Sequence, residues 1–317
     1  MSFDQAARSI NEDWGTTYDG KHIQRYAEHV GAAAVKEMEL QRKAWVHGKR
    51  PPPKAEAAGD LLVIGMDGGR MQLRGRQAKT ESHWVEDKVA TISRYRRGDG
   101  HGREPERLDT SYIGTLSRSR RFGQLVHVEA EYQGLRETQE TMVIGDGAGW
   151  IDKIAEEHFG SHPRIVDYFH AAERLCQCAQ AVRPKCPAPL ARRLESKLHE
   201  GKRKQLLRWL EKECRRLGAM RSNDPPSHPR RIVSENLTYF QRHQHQMNYP
   251  EYRRRGWPIG SGVTEAGVKQ FNKRVKGTEQ FWSRDGGEAI LALRALWLTS
   301  DERWGHLILY RKLKHAA

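Results

Sequence analysis

The chain has 317 residues, room for about two domains at roughly one per 150 residues, so a peptide or a disulfide-stapled miniprotein is excluded. Its 55 Lys and Arg stand against 40 Asp and Glu, and the resulting charge of +15 points to a polyanionic partner, nucleic acid first. The longest apolar runs, 61–66 and 289–298, fall far short of the roughly 20 residues that span a membrane, and the opening segment has no signal-peptide core, so no membrane partner and a cytoplasmic location are expected.

Residues 1–49 read as a small helical region. Phe3, Ala6, Ala7 and Ile10 recur at helical spacing, Ile23, Tyr26 and Val30 repeat the period after a Gly-containing turn, and a third helix is predicted from about Ala32 to Trp45. Two short helices around a turn suit a helix-turn-helix, in which Lys21, Gln24 and Arg25 would open the DNA-reading helix; a plain helical hairpin fits the same pattern. The Pro- and Ala-rich stretch 50–60 reads as a linker. Beyond it, LLVIGMD predicts a strand buried on both faces, Gly68-Gly69 a hairpin turn, and RMQLR the returning strand. A third strand is predicted over 85–95, followed by an arginine-rich loop, a helix over 119–134, a strand over 141–146, a helix through Trp150 to Phe159 and a short strand at 164–168. Three antiparallel strands feeding alternating βα units imply an α/β fold with a mixed sheet.

From about 170 the period is helical only, with Leu190, Leu194 and Leu198 and then Leu206, Leu207 and Leu210 marking apolar faces. Residues 183–231 hold 15 Lys and Arg against 5 Asp and Glu, most of the positive surplus of the chain. So concentrated a surplus on amphipathic helices favours phosphate contact over a merely solvated face. The expected DNA contacts are Lys202, Arg203, Lys204 and Arg208, then Arg253, Arg254 and Arg255, and Lys269, Lys273 and Arg274 on the first of three closing helices, 262–275, 285–299 and 302–313. The domain reading is therefore a catalytic core over 61–169 and 256–317, interrupted by a basic helical insertion over 170–255.

Three acids carry the candidate chemistry. Asp67 in VIGMDGG and Asp146 in VIGDGAG each close an apolar strand and precede glycine, and strand ends are where such sheets bind ligands. Asp-Gly is also the commonest turn dipeptide, so either alone would read as a turn residue. Glu265, in PIGSGVTEAGVKQFNKRVK, opens a helix 119 residues after Asp146 and alone would be an ordinary first-turn acid.

The blocks VIGMDGGRMQLR, TMVIGDGAGWI, IVDYFHAAERL and PIGSGVTEAGVKQFNKRVK together resemble the DDE transposases, in particular the Mutator-like bacterial insertion-sequence enzymes of the ISKra type. The resemblance spans about 61–298 and implies an RNase-H-like catalytic fold with Asp67, Asp146 and Glu265 as the acidic triad. It also implies Mg²⁺, with Mn²⁺ able to substitute, bound by those acids; DNA, both element ends and target, as partner; action as a homo-oligomer on the bacterial nucleoid; and strand cleavage followed by joining. The family's (Cys/Asp)-x-x-His signature falls on Asp167 and His170, for which a helix-capping Asp and a packed His is the alternative. Hard oxygen ligands and a nucleophile drawn from water or a DNA 3′-hydroxyl require no Ser-His or Cys-His arrangement. Two further readings remain open: an RNase-H-like nuclease or resolvase that cuts without joining, and a transposase-derived DNA-binding protein without activity.

Other candidates are weaker. Cys176, Cys178, Cys186 and Cys214 lack paired C-x-x-C spacing, which argues against zinc. His243 and His245 read as a solvated helix surface. Tyr249, Tyr252 and Trp257 among arginines suit either base stacking or ordinary packing, and Trp282 is equally ambiguous.

Overall fold

The computed structural model describes residues 2–54, 59–75, 82–99, 103–277, 280–299 and 301–315. Helix α1 (Phe3–Trp14) opens with a capping box, in which the Ser2 hydroxyl accepts the Gln5 N–H and the Gln5 side chain accepts the Ser2 N–H. Helix α2 (Gly20–Val46) is continuous over 27 residues, where the sequence predicts two helices. The glycine at the expected break, Gly31, serves contact instead: a Cβ there would stand 2.1 Å from the Ala289 carbonyl oxygen. It lets α2 lie against α11 (Arg284–Thr299), so the α1–α2 hairpin is docked on the body of the protein.

Strand β1 (Leu61–Arg74) runs straight through Gly68-Gly69, correcting the expected hairpin, and pairs antiparallel with β2 (Ser82–Arg96) from Leu61 opposite Tyr95 to Arg74 opposite Ser82. Gly69 is required by close approach rather than by a turn, since a Cβ would sit 2.5 Å from a carboxylate oxygen of Asp87. The third antiparallel strand, β3 (Glu106–Thr115), occupies part of the stretch expected to be an arginine-rich loop. Helix α3 (Ser119–Tyr132), strand β4 (Glu140–Gly145), helix α4 (Gly149–Phe159) and strand β5 (Arg164–Val166) follow as expected. The sheet order is β3-β2-β1-β4-β5, with β4 and β5 parallel to β1. This α/β architecture with a five-stranded mixed sheet is consistent with an RNase-H-like core.

Period-2 alternation on β1 feeds both faces. Leu62, Ile64 and Met66 pack with Phe122 and Val126 of α3 and Ile154 and Phe159 of α4. Leu61 and Val63 join Met142 and Ile144 on the opposite face, beneath α5 (Tyr168–Val182), α6 (Ala188–His199), α7 (Arg203–Leu217), α8 (Pro229–His243) and α9 (Tyr249–Arg254). The basic helical region thus shares one core with the sheet. Tyr249, Tyr252 and Trp257 belong to that core, and Trp257 donates its indole N–H to Glu140 at 2.7 Å, so packing, not base stacking, is their role. Helix α10 (Gly262–Val275) and α11 cover the far half of this face, where Trp282 is buried with its indole N–H on the Val275 carbonyl. Helix α12 (Glu302–His315) closes the chain. The expected linker lies partly outside the described residues; Lys54 at its start is tied to the Tyr132 carbonyl and to Asp109. Among the described residues no helix is long and apolar enough to cross a membrane.

Candidate metal centre

Asp67 sits on β1 opposite Val89, at the point where burial of the strand lapses from complete to partial. Its Oδ1 accepts the Gly68 N–H at 2.6 Å. Burial pushes the Asp67 carboxyl above its ordinary range; the Gly68 N–H and His170 oppose this, while the charges of Asp146 and Glu265 add to it. Three acids drawn from β1, the end of β4 and α10 therefore share one electrostatic neighbourhood.

Asp146 follows β4 in a tight turn. Its Oδ1 accepts the Ala148 N–H at 2.8 Å, and Gly147 takes φ 86°, a conformation that glycine adopts freely. Tyr239 of α8 donates its hydroxyl to the Asp146 carbonyl at 2.8 Å, and a Cβ on Gly147 would stand 2.9 Å from the Tyr239 ring. Beside it His243 is buried, its ring 4.9 Å from that of Tyr239, which corrects the expectation of a solvated histidine; His245 is exposed. Sequence reasoning missed Tyr239, whose only signal is an aromatic on the inner face of an amphipathic helix.

Glu265 reaches the site because α10 is drawn onto the sheet. Gly65 lacks the Cβ that would stand 1.9 Å from the Thr264 hydroxyl, and that hydroxyl pairs with Thr91 of β2 at 2.7 Å. Glu265 is the next residue and is half-buried.

Asp167 and His170 form the link between these elements. Asp167 is fully buried, caps α5 by accepting the His170 N–H at 2.7 Å, and accepts the Ser261 N–H with its other oxygen. Burial opposes its ionisation, but the His170 and Ser261 donors outweigh that cost and hold its carboxyl below the ordinary value. His170 Nδ1 lies 3.2 Å from Asp167 Oδ1, off the axis of a good hydrogen bond and best described as an ion pair, and 3.9 Å from Glu265 Oε1. Contact with Asp167 raises His170 to about 9 against its partial burial, with Asp146 and Glu265 acting in the same direction. The capping reading of Asp167 is therefore observed, while His170 is a half-exposed ring in contact with both Asp167 and Glu265.

Asp167, His170 and Glu265 each offer a ligand atom within 4.8 Å of the others, so this group could hold a metal ion. Asp167 is the least available of them, since both oxygens already accept backbone N–H groups. Asp67 and Asp146 add hard carboxylate oxygens, of the kind a divalent cation takes, to the same neighbourhood; burial is the chief cause of the raised Asp67, with the charges of Asp146 and Glu265 adding to it, and the ligand atoms of Asp67, Asp146 and Glu265 do not gather within 4.8 Å of one another as those of Asp167, His170 and Glu265 do.

The expected DNA contacts divide. Lys204, Arg208, Lys269 and Lys273 are exposed. Lys202 pairs with Glu200, Arg203 donates to the Gln244 carbonyl, Arg253 to the His199 carbonyl, and Arg254 and Arg255 both pair with Glu251. Arg274 lies over the Phe3 ring at 4.0 Å. On α2, Lys21 and Arg25 face solvent, while Gln24 is half-buried and donates to Glu28 at 2.7 Å.

Neither a protein family nor a curated protein matches the sequence. Among solved structures the chain is similar to the Drosophila P element transposase strand transfer complex, at 8% identity and a TM-score of 0.33, over 78% of this chain and 79% of that one. A likeness this slight carries no argument about mechanism or substrate.

Proposed function

We propose that the chain is an insertion-sequence transposase of the DDE type, cleaving and joining DNA strands by in-line displacement at phosphorus. The observation that carries this reading is the electrostatic neighbourhood that Asp67 of β1 shares with Asp146 just past β4 and Glu265 of α10, with His170 close to Glu265 and acted on by the same charges. Asp67, Asp146 and Glu265 would hold Mg²⁺, which when bound activates the attacking oxygen and stabilises the leaving one. The chain's own groups set the stage. Asp67 and Asp146 are fixed by backbone N–H donors, so their carboxylates do not need to reorganise on binding substrate. Asp167 clamps the entry to α10 and keeps His170 protonated, and the His170 cation offsets the negative charge that a phosphodiester brings beside Glu265. The net charge of +15 and the exposed Lys204 and Arg208 supply the long-range attraction for DNA.

The test is strand cleavage and joining with Mg²⁺ or Mn²⁺ on DNA carrying the sequences that flank the gene, where inverted repeats are expected if this reading holds. Asp67→Asn, Asp146→Asn and Glu265→Gln should each lower activity by at least a hundredfold while DNA binding persists; Glu12→Gln, exposed on α1, is the control. Asp152 is unsuited to that purpose, because it pairs with Arg242 at 3.0 Å. Near-native activity in Glu265→Gln would mean that another residue is the third ligand. Cleavage without any joined product would favour the nuclease reading.

A further inference from the structure

Resting on the reading of this centre as a DNA-processing site, we propose that Phe169 is a stacking platform for an unpaired nucleobase beside the scissile phosphate, so that the substrate taken is DNA locally opened at the point of cleavage. Phe169 is 62% exposed, whereas its neighbours Asp167 and Tyr168 are buried at 0% and 6%. The inner face of α5 is complete without it, through Tyr168, Ala171, Ala172 and Leu175. An exposed aromatic is ordinary by itself; what singles out Phe169 is that it lies between the two elements that carry His170 and Glu265.

The ring is also held in place. One edge rests on the backbone of Gly260, where a Cβ would stand 2.6 Å from Cε2 and 2.9 Å from Cδ2, and the Tyr168 ring meets it edge-on at 5.5 Å. Gly260 precedes Ser261, whose N–H is bound by Asp167, and Glu265 comes one turn later. Phe169 therefore bridges the two elements that carry His170 and Glu265, three and five residues respectively from Asp167 and Gly260 along the chain. Tyr249, Tyr252, Trp257 and Trp282, the aromatics that the sequence offers for stacking, are buried, which leaves Phe169 as the exposed ring on these elements. An aromatic so placed stacks on any base, because every base has a π face, and gives no sequence preference of its own.

The experiment uses the full chain and duplexes bearing a single unpaired 2-aminopurine, with EDTA for binding and Mn²⁺ for cleavage. Wild type and Phe169→Trp should quench 2-aminopurine fluorescence; Phe169→Ala should bind with the same salt dependence but without quenching. Cleavage by Phe169→Ala should fall on the order of tenfold or more on fully paired DNA, and less on DNA opened beforehand by a mismatch. Unchanged quenching, or equal loss on paired and opened DNA, overturns the stacking role while leaving the acidic centre untouched. Quenching by Phe169 together with full cleavage by Asp146→Asn would overturn the acidic-centre reading and leave the stacking site standing, and absence of DNA binding by wild type overturns both.

Discussion

Asp167 and Ser261 stand 94 residues apart in the chain, yet the Asp167 carboxylate accepts the Ser261 N–H directly, joining the cap of α5 to the start of α10. The same carboxylate caps its own helix and touches His170, so one buried side chain fixes the positions of both His170 and Glu265.

Asp167→Ala should therefore destabilise the fold by about 3 kcal/mol, the cost of leaving two buried backbone donors without an acceptor, as measured by urea unfolding. In EDTA, His170 should fall from about 9 toward its ordinary 6.5 in that variant, observable by NMR titration. Linkage sets the sign. The lowered Asp167 contributes stability above 3.8 that is lost as pH falls, and the raised His170 contributes stability below 6.5 that is lost as pH rises through about 9. The wild-type advantage over Asp167→Ala should accordingly be largest between about pH 4 and 6.5 and smaller at pH 10. A pH-independent difference would show that Asp167 acts through its backbone caps alone.

Asp87 carries a different signature. It is fully buried on β2 opposite Gly69, neither of its oxygens has a hydrogen-bond partner, and burial raises its carboxyl to about 6, with Glu86 and Asp67 adding to the rise. Because the folded state holds this proton more tightly than the unfolded one, stability should decline as pH rises from 3.8 to about 6 and stay lower above that. Asp87→Asn removes the cost of a buried charge. It should be more stable than wild type at pH 7 by about 2–3 kcal/mol and show no advantage at pH 3.5, with unfolding followed in EDTA. Equal stability of the two proteins at pH 7 would mean that water solvates the Asp87 carboxylate in solution.

Much of this arrangement is legible in the sequence, and the failures have definite physical causes. Helices α3, α4, α10 and α11 follow from their period because each buries a regular face, and β4 follows from its continuous apolar run, which is buried on both faces. Gly68-Gly69 reads as a turn because glycine pairs mostly form turns; only the tertiary position of Asp87 reveals that Gly69 is a space-maker in a continuous strand. Gly31 misleads in the same way, since its reason lies in α11, 258 residues further on at Ala289. Strand β3 is hidden because it lies at the sheet edge, where its first residues are exposed and the alternation is weak. For the site, Asp146 is visible locally as the acid that closes β4, whereas Asp67, expected at a strand end, lies in mid-β1 because the strand continues through the glycine pair; Glu265 stands out only by resemblance, and the clamp through Ser261 and the brace from Tyr239 involve a backbone N–H and a helix-face aromatic, neither of which leaves a pattern.

The pattern of ion pairs narrows the DNA-contacting set on the helical region. Lys202 and Arg203 are engaged by Glu200 and the Gln244 carbonyl, whereas Lys204 and Arg208, four residues apart, share an exposed face of α7. Each phosphate contact on duplex DNA contributes a log-log salt slope of about −0.9, so Lys204→Gln with Arg208→Gln should flatten the slope by about 1.8 if both meet phosphate. Lys202→Gln with Arg203→Gln should change it by less, and the latter change should instead loosen the join between α7 and the segment after α8. Fluorescence anisotropy of a labelled 30-base-pair duplex across roughly 50–300 mM salt gives both slopes. The charge of the opposite face is excluded as a cause by the same series: Leu206 and Leu210 are buried there, so the two exposed cations act on solvent or on DNA and not on the core. Identical slopes for wild type and Lys204→Gln/Arg208→Gln would mean that α7 points away from the duplex, and that the exposed Lys269 and Lys273 of α10, next to Glu265, carry the contact.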